Sequence, residues 1–265
     1  MARMAADASR NPWQLYDDLI DGIPAGPTLD YCQTGFNWTR ARSSAGGIGM
    51  AMMVPGQTRP TMNGATPLIG RELRDVAQLV KSWNYVEATI GLAAINSWYN
   101  TADRIDAVGR SHATNVASDR RGAFDVYLAE CEGRRVTIVG HFTFIEHRLD
   151  GHCDLSILER NPIHGDYPDP ACEYILPEQD YVFITGSALV NKTMPRLLSL
   201  CREGSAKVVI LGPSTTLSQT LFDHGAHGLS AFIPTDFDRL EAAVRGADES
   251  DKFDAGIRVD RVRGH

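Results

Sequence analysis

The second half of the chain alternates short, continuously apolar stretches with segments of helical periodicity, and this alternation constrains the fold more than any other feature. The apolar stretches span residues 136–139, 155–158, 181–184, 208–211 and 229–233. The helix-like segments between them include residues 194–201, 217–222 and 237–244. Strands that are apolar along their whole length are buried on both faces, as in a parallel sheet covered by helices. The sequence therefore predicts an α/β domain over residues 116–247.

The first part of the chain has a different pattern, with β-like stretches followed by helices. Residues 28–39 and 48–54 have the composition of strands. Residues 73–83 carry apolar side chains at the spacing of an amphipathic helix, and residues 85–99 are apolar on nearly every face, which is typical of a buried helix. These patterns predict a smaller α+β domain over residues 10–115.

Residues 248–265 follow the last helical segment and open on a run of charged side chains. Such chain ends are commonly solvated and poorly held. We expect a loosely ordered tail there.

Composition excludes several classes of partner. The 26 Lys and Arg residues against 33 Asp and Glu give a net charge of −7, without a basic block, so we expect neither nucleic acid nor a membrane as partner. No stretch approaches the roughly 20 apolar residues of a membrane helix, and the first ten residues lack the apolar core of a signal peptide. The five cysteines are scattered without a C-x-x-C pair, which suits a reducing compartment. We predict a cytoplasmic protein.

Small and polar residues follow four of the predicted strands. In open α/β sheets, ligands bind in the crevice beyond the carboxyl ends of the strands. We therefore expect a small-molecule site at this edge. The ligand-binding residues predicted there are Gly140, Glu159, Arg160, Thr185, Gly186, Asn191, Thr193, Gly212 and Ser214.

Two charged residues at this edge, Lys192 and Glu159, suggest which chemical groups the ligand carries. Lys192 precedes a predicted helix whose first N–H groups are free, and this combination suits a carboxylate or a phosphate. Glu159 suits hydroxyl or amine groups. Structural alternatives stay open, because Thr193 and Ser214 are also natural helix caps and Glu159 can pair with Arg160 or a neighbouring loop.

The turn after the first predicted strand bears on dinucleotide binding. A G-x-G-x-x-G turn lets the backbone approach a pyrophosphate, but here Gly140 is the only glycine of the turn. Glu159 closes the next strand, where an acid could hold a ribose. A nucleotide-dependent oxidoreductase is therefore retained only as an alternative.

Metal ligation is the other alternative for this region. Residues 141–166 contain a group of candidate ligands without the spacing of a known metal motif: His141, His147, His152, Cys153, His164 and Asp166. His141, at a strand tip, is the best candidate for a metal ligand, and it can equally act as a general acid or base. The cofactor is undetermined, and a transition metal is one candidate.

A series of ordered motifs resembles a known family. The motifs of the second half occupy residues 139–142, 159–162, 165–171, 176–180, 184–186, 189–193 and 211–214. Together they resemble the heavy-metal chelation family known as domain of unknown function 364. Looser matches in the first half, at residues 38–40, 46–49 and 91–96, resemble the domain that precedes it in that family.

The resemblance implies a domain like the N-terminal domain of enolase, a Rossmann-like C-terminal domain, and a site in the cleft between them. We expect Arg40, the loop at residues 46–49 and Asn96 of the first domain to close over that cleft, although Asn96 can instead cap or bridge helices internally. The family supplies no settled reaction.

These observations lead to one preferred hypothesis. We expect a two-domain protein that binds a small anionic or metal-chelating molecule between its domains, with His141 and Lys192 as catalytic residues if it is an enzyme. The rival hypothesis is a non-catalytic metal-binding protein that uses His141 together with His147, His152 or Cys153. The sequence does not decide the oligomeric state, and a homo-oligomer stays open.

Overall fold

The computed structural model of the chain describes residues 11–54, 56, 58–61, 67–111, 127–142, 148–246 and 251–264. Within them lie a three-stranded antiparallel sheet and an eight-stranded, mostly parallel sheet. The predicted fold class, an α/β domain preceded by a smaller α+β unit, is confirmed. None of the described helices is long and apolar enough to cross a membrane.

The small sheet comes from three consecutive strands: β1 (Leu29–Thr34), β2 (Trp38–Ser43) and β3 (Ile48–Met52). We expected one strand over residues 28–39, but a turn at residues 35–37 divides this stretch and starts a hairpin. The strand β2 was missed because arginines interrupt its apolar pattern, and one of them, Arg40, is buried.

Three α-helices accompany the small sheet: α1 (Gln14–Asp21), α2 (Leu73–Ala77) and α3 (Tyr85–Tyr99). The helix α3 has the bounds expected from its all-round apolar sequence. It begins after Asn84, whose side-chain oxygen accepts a hydrogen bond from the Glu87 N–H and so caps the first turn.

Glycine at position 49 lets α3 lie directly on β3. A Cβ atom there would fall 2.0 Å from the Ala93 carbonyl oxygen and 2.3 Å from the Ser97 nitrogen, both backbone atoms of α3. Any side chain at this position would therefore push the helix away from the sheet.

The large sheet has the strand order β4-β11-β10-β9-β8-β5-β6-β7. Its strands are β4 (Arg110–Ser111), β5 (Arg135–Val139), β6 (Asp154–Glu159), β7 (Tyr167–Pro168), β8 (Tyr181–Thr185), β9 (Lys207–Leu211), β10 (Gly228–Pro234) and β11 (Gly256–Val262). The five strands predicted from apolar runs are all present, and their neighbours along the order from β10 to β7 pair in parallel. The chain runs from β5 outward to β6 and β7 and then returns to the other side of β5 as β8. The strand order therefore reverses between β5 and β8.

Short helices connect these strands: α4 (Leu128–Cys131), α5 (Cys172–Ile175), α6 (Met194–Gly204), α7 (Gln219–Asp223) and α8 (Phe237–Arg245). The last three correspond to the predicted helical segments. Single 3-10 turns lie at Gln78–Lys81, Ile105–Ala107, Asp169–Ala171, Leu176–Glu178, Gly186–Leu189 and Lys252–Ala255.

The prediction of a loosely ordered tail is wrong for residues 251–264. The strand β11 pairs antiparallel with β10 over its full length, from Gly256 opposite Pro234 to Val262 opposite Gly228. Inward-facing Val259 and Arg261 are buried in alternation, the period-2 pattern of a strand, but the preceding charged run obscured it. The strand β4, which we assigned by sequence to the first domain, pairs with β11 in the large sheet.

The two sheets share one apolar core. Buried side chains of α1 and α3 belong to the same cluster as those of β8 and β9. The Tyr16 hydroxyl on α1 donates a hydrogen bond of 3.0 Å to the Leu189 carbonyl, which lies just after β8. The two units are therefore packed against each other through apolar side chains.

Replacing Gly49 with alanine should destabilise the fold by about 1–3 kcal/mol, because the new methyl group must separate α3 from β3. The free energy of unfolding in urea measures the effect. Gly264→Ala is the matched control, since no atom lies within 4 Å of a Cβ there. Equal stability of the two variants would show that the close approach of α3 and β3 is not needed.

Candidate functional site

A pocket of about 250 Å³ opens where the strand order reverses. The carboxyl ends of β5, β6 and β8 form one side of it, and the end of β3 from the small sheet forms another. Its lining residues are Met52, Met53, Val54, Val139, Gly140, His141, Leu158, Glu159, Arg160, Asn161, Asp169, Thr185, Ser187, Ala188, Asn191 and Thr193. Seven of these are residues that the sequence predicted for the site: Gly140, His141, Glu159, Arg160, Thr185, Asn191 and Thr193.

The end of β5 places an imidazole on the pocket wall. Gly140 has a φ of 98°, a backbone conformation that favours glycine, and this turn directs the chain away from the sheet. His141 follows, and its Nε2 atom lies 2.7 Å from the Asp166 Oδ2 atom. The same carboxylate oxygen accepts a hydrogen bond from the Ile163 N–H, so the loop before β7 holds the aspartate in place. Sequence reasoning included Asp166 only as a metal-ligand candidate and missed this pairing.

The end of β6 places a carboxylate opposite the end of β5. The Glu159 Oε2 atom accepts a hydrogen bond from the His141 N–H at 3.2 Å, and Oε1 accepts from the N–H groups of Arg160 and Asn161. These backbone donors fix the orientation of the carboxylate. Since a carboxylate has about four lone-pair directions, Glu159 retains the capacity to accept a hydrogen bond from a ligand. The alternative that it bonds to its own loop is also realised.

The segment after β8 supplies hydroxyl and amide groups. The Thr185 Oγ1 atom accepts a hydrogen bond from the Ser187 N–H. The Asn191 Oδ1 atom accepts hydrogen bonds from both the N–H and the hydroxyl of Thr193. Thr193 occupies the N-cap position of α6, as the structural alternative held, but its side chain is bonded to Asn191 and makes no capping hydrogen bond to the helix.

We expected the first domain to close over the pocket through Arg40, the loop at residues 46–49 and Asn96, but the wall that it contributes is formed by other residues. Residues 52–54 bring apolar side chains to the pocket at the end of β3. The Met52 N–H donates a hydrogen bond of 2.8 Å to the Ser214 hydroxyl, which docks β3 on the loop after β9. Apolar residues at a strand end carry no sign of a ligand, so only the tertiary arrangement identifies them.

Several predicted site residues lie outside the pocket and form the junction between the sheets. Asn96 is fully buried, and its Nδ2 atom donates hydrogen bonds to the carbonyls of Met50 and Ser214. Its Oδ1 atom accepts from the Thr216 hydroxyl at 2.6 Å. Asn96 thus bridges elements internally, as the alternative interpretation held.

The two remaining predicted glycines make contacts within the unit of the large sheet. Gly186 packs against the backbone of Ser214 and Thr215, where a Cβ atom would be 2.5 Å from the Thr215 nitrogen. The Gly212 N–H donates a hydrogen bond to the Ser230 carbonyl and so belongs to the sheet.

Arg40 forms a buried ion pair with Glu241. Its Nε atom lies 2.7 Å from the Glu241 Oε1 atom, and both side chains are almost fully buried. Burial raises the pKa of Glu241, but hydrogen bonds from Arg40 and Tyr31 and the charge of Arg40 outweigh it, so the pKa lies below its usual value. The structure does not bring Arg40 to the pocket.

Lys192 is also turned away from the pocket. Its Nζ atom donates hydrogen bonds to the carbonyl oxygens of Ser82 and Val190. The expected anion-binding role of this ammonium at the pocket is therefore not supported by its position.

The described residues do not fit a resident metal ion. Among them, no three His, Cys, Asp or Glu side chains converge on one point. His152 pairs with exposed Glu132, away from His141, and His147 lies outside the described residues. Burial raises the pKa of Cys153 to about 11 and that of Cys131 to about 12, which disfavours the thiolate that binds metals.

Replacing Glu241 with glutamine should destabilise the fold by about 3–5 kcal/mol at neutral pH, because buried Arg40 would lose its counter-charge. The lowered pKa of Glu241 adds stability above the pKa of an unfolded glutamate, near 4.3, and this contribution is lost as the pH falls through the folded pKa. Urea unfolding at a series of pH values should therefore show a weaker acid dependence in the variant. The control Glu132→Gln changes an exposed side chain, and an equal loss in both variants would contradict the expectation.

Comparison with known proteins places the chain among relatives of unknown function. The profile of a family described as "Putative heavy-metal chelation", DUF364, matches residues 122–263, and that of DUF4213, described in the same words, matches residues 16–99. An uncharacterized protein of Methanocaldococcus jannaschii is 28% identical over 181 residues, which are 66% of this chain and 65% of that protein. The match thus spans slightly less than two thirds of that relative.

Two solved structures have the same fold. The crystal structure of a DUF364 protein of unknown function from Desulfitobacterium hafniense is 42% identical, with a TM-score of 0.83 over 95% of this chain and 98% of that one. A DUF364 protein of unknown function from Pyrococcus horikoshii is 18% identical, with a TM-score of 0.78 over 95% of this chain and 99% of that one, and it bears on the fold alone. Since the DUF364 profile covers more than half of the sequence, the chain belongs to the DUF364 family.

Proposed function

We propose that the chain binds a small organic molecule in the pocket between its two sheets, and that this molecule is itself a metal chelator. The proposal rests on the convergence of three strand ends and the end of β3 around the Glu159 carboxylate. The reversal of strand order separates the connections that leave β5 and β8, and this opening is where α/β sheets bind ligands. The family description suggests that chelation is involved. Since the described side chains do not themselves form a metal site, we assign the chelating groups to the ligand.

The charges around the pocket favour a ligand rich in hydrogen-bond donors. Glu159 and Asp169 contribute carboxylates, and Arg160 contributes a guanidinium that bonds to the Tyr85 hydroxyl at 3.3 Å. With Lys192 directed elsewhere, Arg160 is the single Lys or Arg side chain among these lining residues, against two carboxylates. Hydroxyl or amine groups on Glu159, with a flat apolar body against residues 52–54, agree best with this lining.

Catalysis on the bound molecule is a second candidate function, and the contact between His141 and Asp166 favours it. A carboxylate bonded to one imidazole nitrogen fixes the tautomer and orientation of the ring, as a general acid or base requires. His141 is the residue that we propose for proton transfer. A dinucleotide-dependent reaction has less support, because Gly140 is the only glycine in the turn that would face the pyrophosphate.

Replacing Glu159 with glutamine should weaken retention of the copurified organic molecule about ten- to hundredfold, the usual effect of losing a hydrogen bond to a charged acceptor. Native mass spectrometry of the purified chain, compared with its denatured mass, measures the occupancy. The variant keeps the shape of the side chain, so the pocket itself is preserved.

Glu132→Gln is the matched control, since this carboxylate is exposed and outside the pocket. It should retain the molecule as the unchanged chain does. An adduct with the mass of a single transition-metal ion, or equal retention by both variants, would count against an organic ligand held by Glu159.

A further inference from the structure

The backbone conformation and the burial of Lys192 are both energetically unfavourable, and its local fold explains neither. Its backbone has a φ of 67°, a left-handed conformation that non-glycine residues rarely adopt and that glycine would adopt without strain. Its half-buried ammonium contacts carbonyl oxygens and aromatic rings, and no carboxylate in the described ranges lies within ion-pair distance. A strained backbone together with a poorly solvated charge indicates that the side chain has a role beyond the loop.

The side chain of Lys192 joins the two units of the molecule. Its backbone belongs to the segment after β8 in the large sheet, whereas its Nζ atom donates to the Ser82 carbonyl, just before α3 of the small unit. The ammonium also lies 5.7 Å from the ring centre of Trp83 and 5.6 Å from that of Tyr85. These contacts combine a charge-assisted hydrogen bond with two cation–π contacts on the same partner segment.

Both ends of this connection reach the pocket. The neighbours of Lys192 in the sequence, Asn191 and Thr193, line the pocket and are bonded to each other. On the other side, the Tyr85 hydroxyl accepts a hydrogen bond from Arg160, which also lines the pocket. Lys192 therefore connects the wall after β8 with the wall after β6 by way of the start of α3.

We propose that Lys192 is a positioning residue that clasps residues 190–193 to residues 82–85 and thereby holds two walls of the pocket at a fixed separation. The proposal rests on the proposed function in taking the pocket as the ligand site. It replaces the anion-binding role that the sequence suggested for this lysine.

Lys192→Gly tests the clasp, because it relieves the backbone and removes the ammonium at once. If the Lys192 side chain acted only within residues 190–193, glycine would relieve the backbone strain there, and amide hydrogen exchange in this segment would become slower. The clasp instead requires that exchange increase by at least about tenfold in both segments, 190–193 and 82–85, since a charge-assisted hydrogen bond between them is lost. Exchange that is unchanged or slower in either segment would overturn the proposal.

Ser205→Gly is the matched control. Ser205 also has a left-handed backbone, with a φ of 63°, but it is an exposed residue at the end of α6 and contributes nothing to the pocket. Its replacement should leave both segments unchanged. An increase in exchange there as large as that in Lys192→Gly would show that the effect is not specific to the ammonium, and it would overturn the clasp.

Lys192→Met is a second variant, which keeps an unbranched side chain and removes the ammonium. The hydrogen bonds to the Ser82 and Val190 carbonyls are then lost, so amide exchange should increase in both segments. Exchange that is unchanged or slower in either segment would overturn the clasp.

These measurements use the chain without ligand. A negative result would thus leave the Glu159→Gln test untouched, and a failure of that test would not affect this one.

Discussion

The pocket depends on the polar contact that docks the end of β3 on the loop after β9. Asn96 donates to the carbonyls of Met50 and Ser214, and the Ser214 hydroxyl accepts from the Met52 N–H. All three bonds are buried or partly buried, where a missing partner costs more than the bond itself contributes. The network therefore sets the register of one sheet on the other. Residues 52–54 reach the pocket only because this register holds.

The topology of the large sheet accounts for the position of the pocket, and the junction accounts for its closure. In a parallel sheet, the reversal between β5 and β8 leaves a crevice that is open to solvent on its far side. The unit built on β1, β2 and β3 covers that side. Neither unit has a complete pocket by itself, since the carboxylate comes from β6 and the apolar wall comes from β3. The Tyr16 hydroxyl on α1 bonds to the segment after β8, and apolar side chains of α1 pack in the core shared by both units. The helix α1 therefore also holds the two units together.

The fold could be predicted where local pattern and burial coincide. The apolar runs of β5, β8, β9 and β10 and the helix α3 were found because most of their side chains are buried, and β6 was found from its apolar run although most of its residues are only half-buried. The strand β11 was missed because its pairing with β10 is a tertiary contact, and its sequence carries solvent-facing charges between inward residues such as Val259. Likewise, the arginines of β2 concealed a strand whose buried Arg40 is stabilised by Glu241, far away in the sequence.

For the candidate site, the sequence predicted which segments of the chain lie at the pocket, but it did not predict the directions in which their side chains point. Gly140, His141 and Glu159 line the pocket because residues just after parallel strands meet at one edge of a sheet. Lys192 occupies the same kind of position, yet its left-handed backbone turns the long side chain toward α3.

The direction of Lys192 changes the chemistry expected of the ligand. The cations that could have held an anion are used to join the two units, Arg40 through Glu241 and Lys192 through backbone carbonyls and aromatic rings. What faces the pocket instead is a carboxylate oriented by three backbone N–H groups and an imidazole oriented by Asp166. Such a lining favours hydrogen-bond donors in the ligand that we propose, because an anion would meet the carboxylates of Glu159 and Asp169 with Arg160 as the single Lys or Arg side chain of the lining. Because Arg40 and Lys192 hold the units together and do not line the pocket, they are not available to the ligand that we propose there.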